Sequence, residues 1–319
     1  MGAATSRVDG RDIGDLGARL LVGRDAVQDP MRGVALLREA VTVGDGEAAA
    51  VLATLTAAGG WVRQSWDGAV DLLERGAALG SRRAEDQLVL LSGGDPATGR
   101  RGAAIDLSPW FRPPERRVLL DHPRVRASDA FVPPAICDWV VSQVRGRMRP
   151  AMMYHGDVRK EVLDPHRSCS DLEFDIAASD VILILIRERI ALATGVPTAC
   201  MEPPRVFHYA LGQDIKPHYD RLNDGIGDYG GRGYDGDRIV TFLLYLNDGF
   251  EGGELDFPKV GKHFKGRKGD AVYFAHIDDA GKPERLSLHA GLPILRGEKY
   301  VLSQWIHDRP LGDTRTERV

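Results

Sequence analysis

Over residues 10–92 the chain repeats itself with a shift of 36 places. Gly23 falls on Gly59, Val34 on Val70, Leu36-Leu37 on Leu72-Leu73, Gly44 on Gly80, Ala48 on Ala84 and Leu52 on Leu88. Ala26 falls on Val62, which keeps the apolar character without the residue. Few folds tolerate such a constraint. Each unit reads as two short amphipathic helices, with small residues where they pack closely and glycine where each stops. Units of this kind bury their apolar faces only against their neighbours, so the expectation is a helical-hairpin solenoid.

Residues 93–116, "GGDPATGRRGAAIDLSPWFRPPER", are rich in glycine, proline and arginine without periodicity and read as a linker, with Trp110 and Phe111 free to drape over a neighbour. Beyond it the pattern changes. "VPPAICDWVVSQVRGRM" suggests a helix from Pro133 to Met148, and "SDVILILIRERIALAT" a second from Ser179 to Thr194, opened by a Ser-Asp cap and closed before Gly195. From Arg205 onward almost everything is strand and turn: "RVFHYAL", "RIVTFLLYLND", "GELDF", "GDAVYFAH", "SLHAGLPI" and "KYVLSQWIH", separated by Gly, Asp and Pro. Helices followed by antiparallel-type strands indicate an α+β chain with a jelly roll or barrel buttressed by helices. At 319 residues and 43% apolar, one large and one smaller domain with a sizeable core are expected.

Several function classes are disfavoured. A formal net charge of −4 argues against nucleic acid as the main partner. The longest apolar run, Val181 to Ile186, is too short to cross a bilayer, and "MGAATSRVDGRD" has no apolar h-region, so neither membrane insertion nor secretion is expected. Cys137, Cys169 and Cys200 are widely spaced and odd in number, and read as free thiols in a reducing cytoplasm.

Two of the three His-x-Asp tripeptides fall in the strand-rich stretch beyond Arg205, His218-Tyr219-Asp220 and His276-Ile277-Asp278. With nine histidines in the chain, neither is informative alone. A mononuclear iron that activates oxygen needs two imidazoles and a carboxylate on one face, with the other positions open. Residues i and i+2 of an extended segment point to the same side, and the second imidazole must come from a distant strand that folds back. His289 lies 71 residues beyond His218 with several strands between, whereas only residues 279–288, a loop, separate it from His276-x-Asp278. The pair chosen is therefore His218 and Asp220 with His289, and His276 is read as a strand-end histidine near the surface. Lys299, Val301, Ser303 and Trp305 alternate onto one face of a strand. A buried ammonium there needs an anion, and the distal carboxylate of 2-oxoglutarate would supply it.

The segments "RVFHYALGQDIKPHYD", "RIVTFLLYLNDGFEGGELDFP", "KGDAVYF" and "SLHAGLPILRGEKYVLSQWIH", in this order, resemble the Fe(II)/2-oxoglutarate-dependent dioxygenases of the prolyl 4-hydroxylase branch over roughly residues 118–308. The repeat period, with "ALLREAVTVGD" and "AVDLLERGAALGS", resembles Sel1-like repeats. The resemblances imply Sel1-like repeats at 10–92, a linker at 93–116 and a double-stranded β-helix dioxygenase domain at 117–310. They imply iron ligands His218, Asp220 and His289, with Lys299 on 2-oxoglutarate. Tyr209 and Thr241 would line the cosubstrate pocket and Trp305 would lie near the substrate. Fe(II), 2-oxoglutarate and O₂ would be required, with ascorbate as a rescuing reductant. The repeats would recruit a peptide or protein that the barrel hydroxylates. Arg167–Phe174 falls where the family has an Arg-Thr/Ser-Ser segment. Arg221 to Asp237 departs from the family in carrying six glycines, and loops there tend to close over substrate. A non-catalytic adaptor built on the repeats, or an oxygenase for a non-proline or small-molecule substrate, are the alternatives.

Overall fold

The computed structural model describes residues 9–155, 160–163, 167–221 and 236–311. Most of the glycine-rich loop, residues 222–235, thus lies outside the described residues. Two compact units form: residues up to Phe111 together with Phe174–Arg187, and Arg112–Glu173 together with Glu188 onward.

The first unit holds five helices, α1 Gly10–Val22, α2 Pro30–Thr42, α3 Gly46–Ala58, α4 Trp66–Ala78 and α5 Arg82–Leu91. The 36-residue period is visible in their starts. Asp9, Asp45 and Ser81 cap α1, α3 and α5, and Asp29 and Ser65 cap α2 and α4, each side chain accepting a hydrogen bond from a backbone N–H of the first turn. It is visible in their ends too, since α1 and α3 stop at Gly23 and Gly59 in the left-handed region, φ 67° and 72°. Where α1 meets α2, a Cβ on Gly17 would lie 2.9 Å from the Gly33 carbonyl, so the close approach requires a residue without one. Leu21, Val34, Leu37, Ala40, Ala48, Val51, Leu52 and Leu55 form the apolar core, with Ile176 and Ala177 packed against it.

Sequence reading started the second unit at residue 117 and ran it without a break. Here Phe174–Arg187 groups with the helices instead. Gln87 accepts from the Val181 N–H (2.9 Å), and the Ser179 carbonyl accepts from Thr54 and Arg83. These bonds join residues about a hundred positions apart, and no local pattern announces them. The supposed linker also holds to this unit as far as Phe111, which packs on Trp66 at 5.1 Å, and Arg101 bridges Glu74 and Glu85.

The second unit begins with β1 Arg117–Leu120, β2 Val125–Ser128, helix α6 Pro134–Val144, β3 Arg149–Pro150, β4 Met152–His155, β5 Lys160–Leu163 and β6 Ser170–Glu173. Helix α7, Val181–Thr194, follows; its residues up to Arg187 belong to the first unit and those from Glu188 to the second, and its first turn is capped by the Asp180 carboxylate on the Leu183 N–H. Then come β7 Arg205–Tyr209, β8 Ile215–His218, β9 Arg238–Tyr245, β10 Glu251–Gly252, β11 Leu255–Phe257 and β12 Lys262–Phe264. The last strands are β13 Ala271–Ala275, β14 His289–Gly291, β15 Ile294–Arg296 and β16 Lys299–His307. An eight-stranded antiparallel sheet runs β1-β2-β13-β9-β16-β7-β6-β3, and a four-stranded one runs β12-β11-β14-β8. The two sheets share one core: Leu255 and Phe257 from the small sheet pack with Phe207, Tyr245, Val272, Phe274, Val301 and Trp305 from the large one. This pairing sets β8 and β14 opposite β16 and β9, which is what builds the site. The three cysteines are free and buried.

Candidate active site

Strands β8 and β14 are antiparallel neighbours with His218 directly opposite His289, and their rings stand 4.3 Å apart between centroids. Asp220, two residues past His218, turns its carboxylate between them, with Oδ1 3.5 Å from His218 Nε2 and Oδ2 3.4 Å from His289 Nε2. All three side chains are buried. The Nδ1 atoms face the chain's own carbonyls, that of Lys216 at 2.8 Å and that of Ser287 at 3.0 Å. A carbonyl only accepts, so each Nδ1 carries the proton, and in the neutral ring Nε2 keeps its lone pair. Two such lone pairs and a carboxylate converge.

Burial and neighbouring charge set the protonation of Asp220 and of His218. Burial alone would raise the Asp220 carboxyl, but the imidazoles of His289 and His218 outweigh it and hold it well below the usual carboxylate range. Burial, reinforced by His289, lowers His218 and keeps it neutral. Anionic carboxylate and neutral imidazole are the protonation states that metal ligation requires.

The cavity over this triad is lined by every residue that the family resemblance assigns to the site: His218, Asp220, His289, Lys299, Tyr209, Thr241 and Trp305, with Arg167 at its side. Lys299, Val301, Ser303 and Trp305 all face it, as the strand alternation requires. Lys299 is 6% exposed, and its Nζ donates to the Gly253 carbonyl at 2.7 Å. Among the described residues it pairs with no carboxylate. It is ringed instead by Tyr209, Tyr245 and Phe250 at 5.4–5.9 Å. Burial pulls its pKa down to about 8. Tyr209 is its register partner on β7.

Thr241 does more than line the cavity, and His276 departs from the sequence reading. Thr241 lines the cavity, yet its hydroxyl is engaged with the carboxylate, 2.6 Å from Asp220 Oδ2. His276 is not near the surface. It is fully buried, with Nε2 2.7 Å from Thr241 Oγ1 and the ring set edge-on to Phe274. Its N–H bonds the Ile239 carbonyl, which extends the β13–β9 pairing by one residue. The alternation Val272, Phe274, His276 therefore points inward, a period-two pattern that "GDAVYFAH" carries one residue past the strand end.

A buried ion pair missed in the sequence lies behind Trp305. Arg238 binds Glu202 through both guanidinium ends (2.6 and 2.9 Å), His307 adds a contact to Glu202 at 2.8 Å, and the guanidinium covers the Trp305 ring at 4.1 Å. Burial would raise Glu202, but Arg238 and His307 prevail and bring it down to about 2.

Residues 204–307 match the model of the 2OG-Fe(II) oxygenase superfamily. The prolyl 4-hydroxylase 13 of Arabidopsis thaliana is 31% identical over 207 residues, 59% of this chain and 72% of the relative. The chain belongs to the prolyl 4-hydroxylase family of 2OG-Fe(II) oxygenases. A probable prolyl 4-hydroxylase 3 of the same plant is 30% identical over 209 residues, covering 60% of this chain and 71% of the relative. Among solved structures, the viral collagen prolyl hydroxylase of Paramecium Bursaria Chlorella virus-1 is 25% identical and covers 57% of this chain and 94% of its own, at a TM-score of 0.43.

Family membership makes the chain a dioxygenase and implies Fe(II), 2-oxoglutarate and O₂. The residues fit these groups. His218, Asp220 and His289 form a cluster of potential ligand atoms lying within 4.8 Å of one another, with two nitrogen donors and one oxygen donor as Fe(II) accepts. Lys299 is a cation held in the same cavity with no carboxylate paired to it among the described residues.

Proposed function

We propose that the chain is a prolyl 4-hydroxylase-like enzyme that acts on a peptide or protein. In this reading Nε2 of His218, Nε2 of His289 and the Asp220 carboxylate hold iron, and Lys299 holds the distal carboxylate of 2-oxoglutarate. Tyr209 and Thr241 wall the cosubstrate, and Trp305, stiffened by Arg238, stands beside the substrate. Bound there, iron and 2-oxoglutarate would supply, with O₂ as the oxidant, an oxidative decarboxylation that leaves carbon dioxide and succinate carrying one atom of the O₂ and delivers the other atom to an unactivated C–H bond. The chain's own residues turn both Nε2 atoms toward the cavity by tying each Nδ1 to a backbone carbonyl, keep Asp220 ionised and exclude water with Phe207, Leu243, Leu255 and Val301. The observation that carries the reading is the convergence, in one cavity, of two Nε2 atoms and a carboxylate with a buried lysine that has no carboxylate partner among the described residues.

The eight- and four-stranded sheets around one core support a double-stranded β-helix. The 36-residue register of caps supports Sel1-like repeats, which we assign to capture of the protein substrate. Three buried free thiols support a cytoplasmic setting. Ascorbate dependence is proposed on the family resemblance. The test is to measure iron content, then succinate release with and without proline-containing peptides, searching the peptides by mass spectrometry for one added oxygen atom. Iron-dependent succinate release that rises with peptide is expected. A protein that neither holds iron nor turns over 2-oxoglutarate would make the fold a non-catalytic adaptor.

A further inference from the structure

The hydrogen bonds behind Asp220 have a fixed direction. A carboxylate only accepts, so in the 2.6 Å contact the Thr241 hydroxyl must donate to Oδ2. That hydroxyl has a single proton. Its 2.7 Å contact with His276 can then be made only if Nε2 of His276 carries a hydrogen and donates it. The consequence is that Nδ1 of His276 is a bare acceptor, and it is buried with no hydrogen-bond partner among the described residues. An apolar ring would fill the same place against Phe274 without stranding an acceptor, so packing alone does not account for a histidine here. Nor does His276 reach the triad directly, its Nε2 being 3.7 Å from Asp220 Oδ2.

We infer that His276 is a positioning residue that, through Thr241, commits Oδ2 of Asp220 to a hydrogen bond and leaves Oδ1 as the oxygen offered to the metal. The inference rests on the proposed function, in which Asp220 is a ligand. Its chemical sense lies in the number of positions. An octahedral metal held by two imidazoles and one carboxylate oxygen keeps three sites, two for a chelating 2-oxo acid and one for O₂. A carboxylate that swung to ligate through both oxygens would remove one of the three. Thr241 alone cannot prevent this, because a threonine hydroxyl rotates. With the His276 N–H on its lone pair, the proton is directed at Oδ2. Thr241 sits on β9 and His276 just past β13, adjacent strands of the large sheet, so the relay is anchored on rigid backbone rather than on a loop.

The test uses the full-length protein and Co(II) as a redox-silent probe, with affinity read from the ligand-field absorption in the absence of turnover. Partners behind metal ligands typically govern roughly 10–100-fold in metal affinity. Thr241→Val and His276→Phe should each weaken Co(II) binding within that range, and the double variant should be no worse than the weaker single one, because both changes break one linkage. The metal-free His276→Phe protein should melt no lower than wild type, since it loses a stranded acceptor. His276→Gln, which restores an N–H donor, should recover most of the affinity. Unchanged Co(II) affinity in either single variant, or losses that multiply in the double, would overturn the relay. Should His276→Phe not fold, the pair His276→Gln and Thr241→Val decides: affinity kept in the first and lost in the second supports the relay, and equal affinities overturn it. If wild type itself bound no Co(II), the proposed function would fall, whereas wild-type binding matched by the variants removes only the relay.

Discussion

Replacing Lys299 with methionine should act with opposite signs on stability and on cosubstrate binding. The ammonium sits in an aromatic ring of Tyr209, Tyr245 and Phe250, and its hydrogen bond goes to the Gly253 carbonyl. Burial lowers its pKa from 10.5 to about 8. At roughly 1.36 kcal/mol per unit, holding the charge there costs about 3 kcal/mol relative to the unfolded chain. Below pH 8 both states carry the proton and the full cost applies. Between about 8 and 10.5 the folded lysine has lost its proton while the unfolded one retains it, so stability rises with pH across that window. Lys299→Met should therefore raise the stability of the metal-free protein near neutral pH by up to about 3 kcal/mol, less any repacking cost, and abolish the rise. The same change removes the partner of the 2-oxoglutarate distal carboxylate, and about 3 kcal/mol corresponds to on the order of a hundredfold weaker binding. Urea denaturation from neutral to alkaline pH and anaerobic calorimetry with 2-oxoglutarate and Mn(II) measure the two effects. A variant that is less stable and binds 2-oxoglutarate normally would refute the reasoning, because the lysine would then be a structural cation rather than an anion receptor.

His218→Ala, Asp220→Ala and His289→Ala should each abolish iron retention and succinate formation while leaving the circular dichroism spectrum unchanged; retained activity in any of them would displace that residue from the ligand set. Glu202→Gln should destabilise the fold by roughly 3–5 kcal/mol in urea, because it leaves the Arg238 guanidinium buried against a neutral amide. The loss should shrink as pH falls below about 4.5 toward 2, where the wild-type carboxylate is itself protonated, first in the unfolded and then in the folded chain. A chain truncated to begin at Arg112 retains every site residue, but it should aggregate, since Phe174–Arg187 would lose the helices it belongs with. A soluble, cooperatively melting truncation would contradict that grouping.

What was legible in the sequence was whatever rests on local rules. The period of 36 could be read because each helix end demands a particular backbone, as at Gly23 and Gly59, and each helix start a capping oxygen, as at Asp9, Asp45 and Ser81. The triad was legible because a returning strand needs intervening strands, which His276-x-Asp278 lacks. Lys299 followed from alternation along β16. The same rule, carried one residue past the end of β13, would have turned His276 inward. The contacts of Glu202 were not legible, because it lies in an irregular stretch after Met201 where no period applies, and it meets Arg238 and His307 from distant strands. Likewise nothing local in "FDIAASDVILILIR" tells that Gln87 and Thr54 satisfy its backbone.

The central claim is that this cavity couples decarboxylation of 2-oxoglutarate to oxygen insertion into a peptide or protein. It is tested most directly by incubating the iron-loaded, full-length protein with 2-oxoglutarate, isotopically heavy O₂ and a panel of proline-rich peptides and intact proteins. Mass spectrometry would then follow both atoms of the dioxygen. One heavy oxygen in succinate and the other in a hydroxylated residue of the substrate is the expected result, with both absent from Asp220→Ala. Heavy succinate with no labelled peptide or protein would contradict the substrate class, and unlabelled succinate or none at all would contradict the chemistry itself.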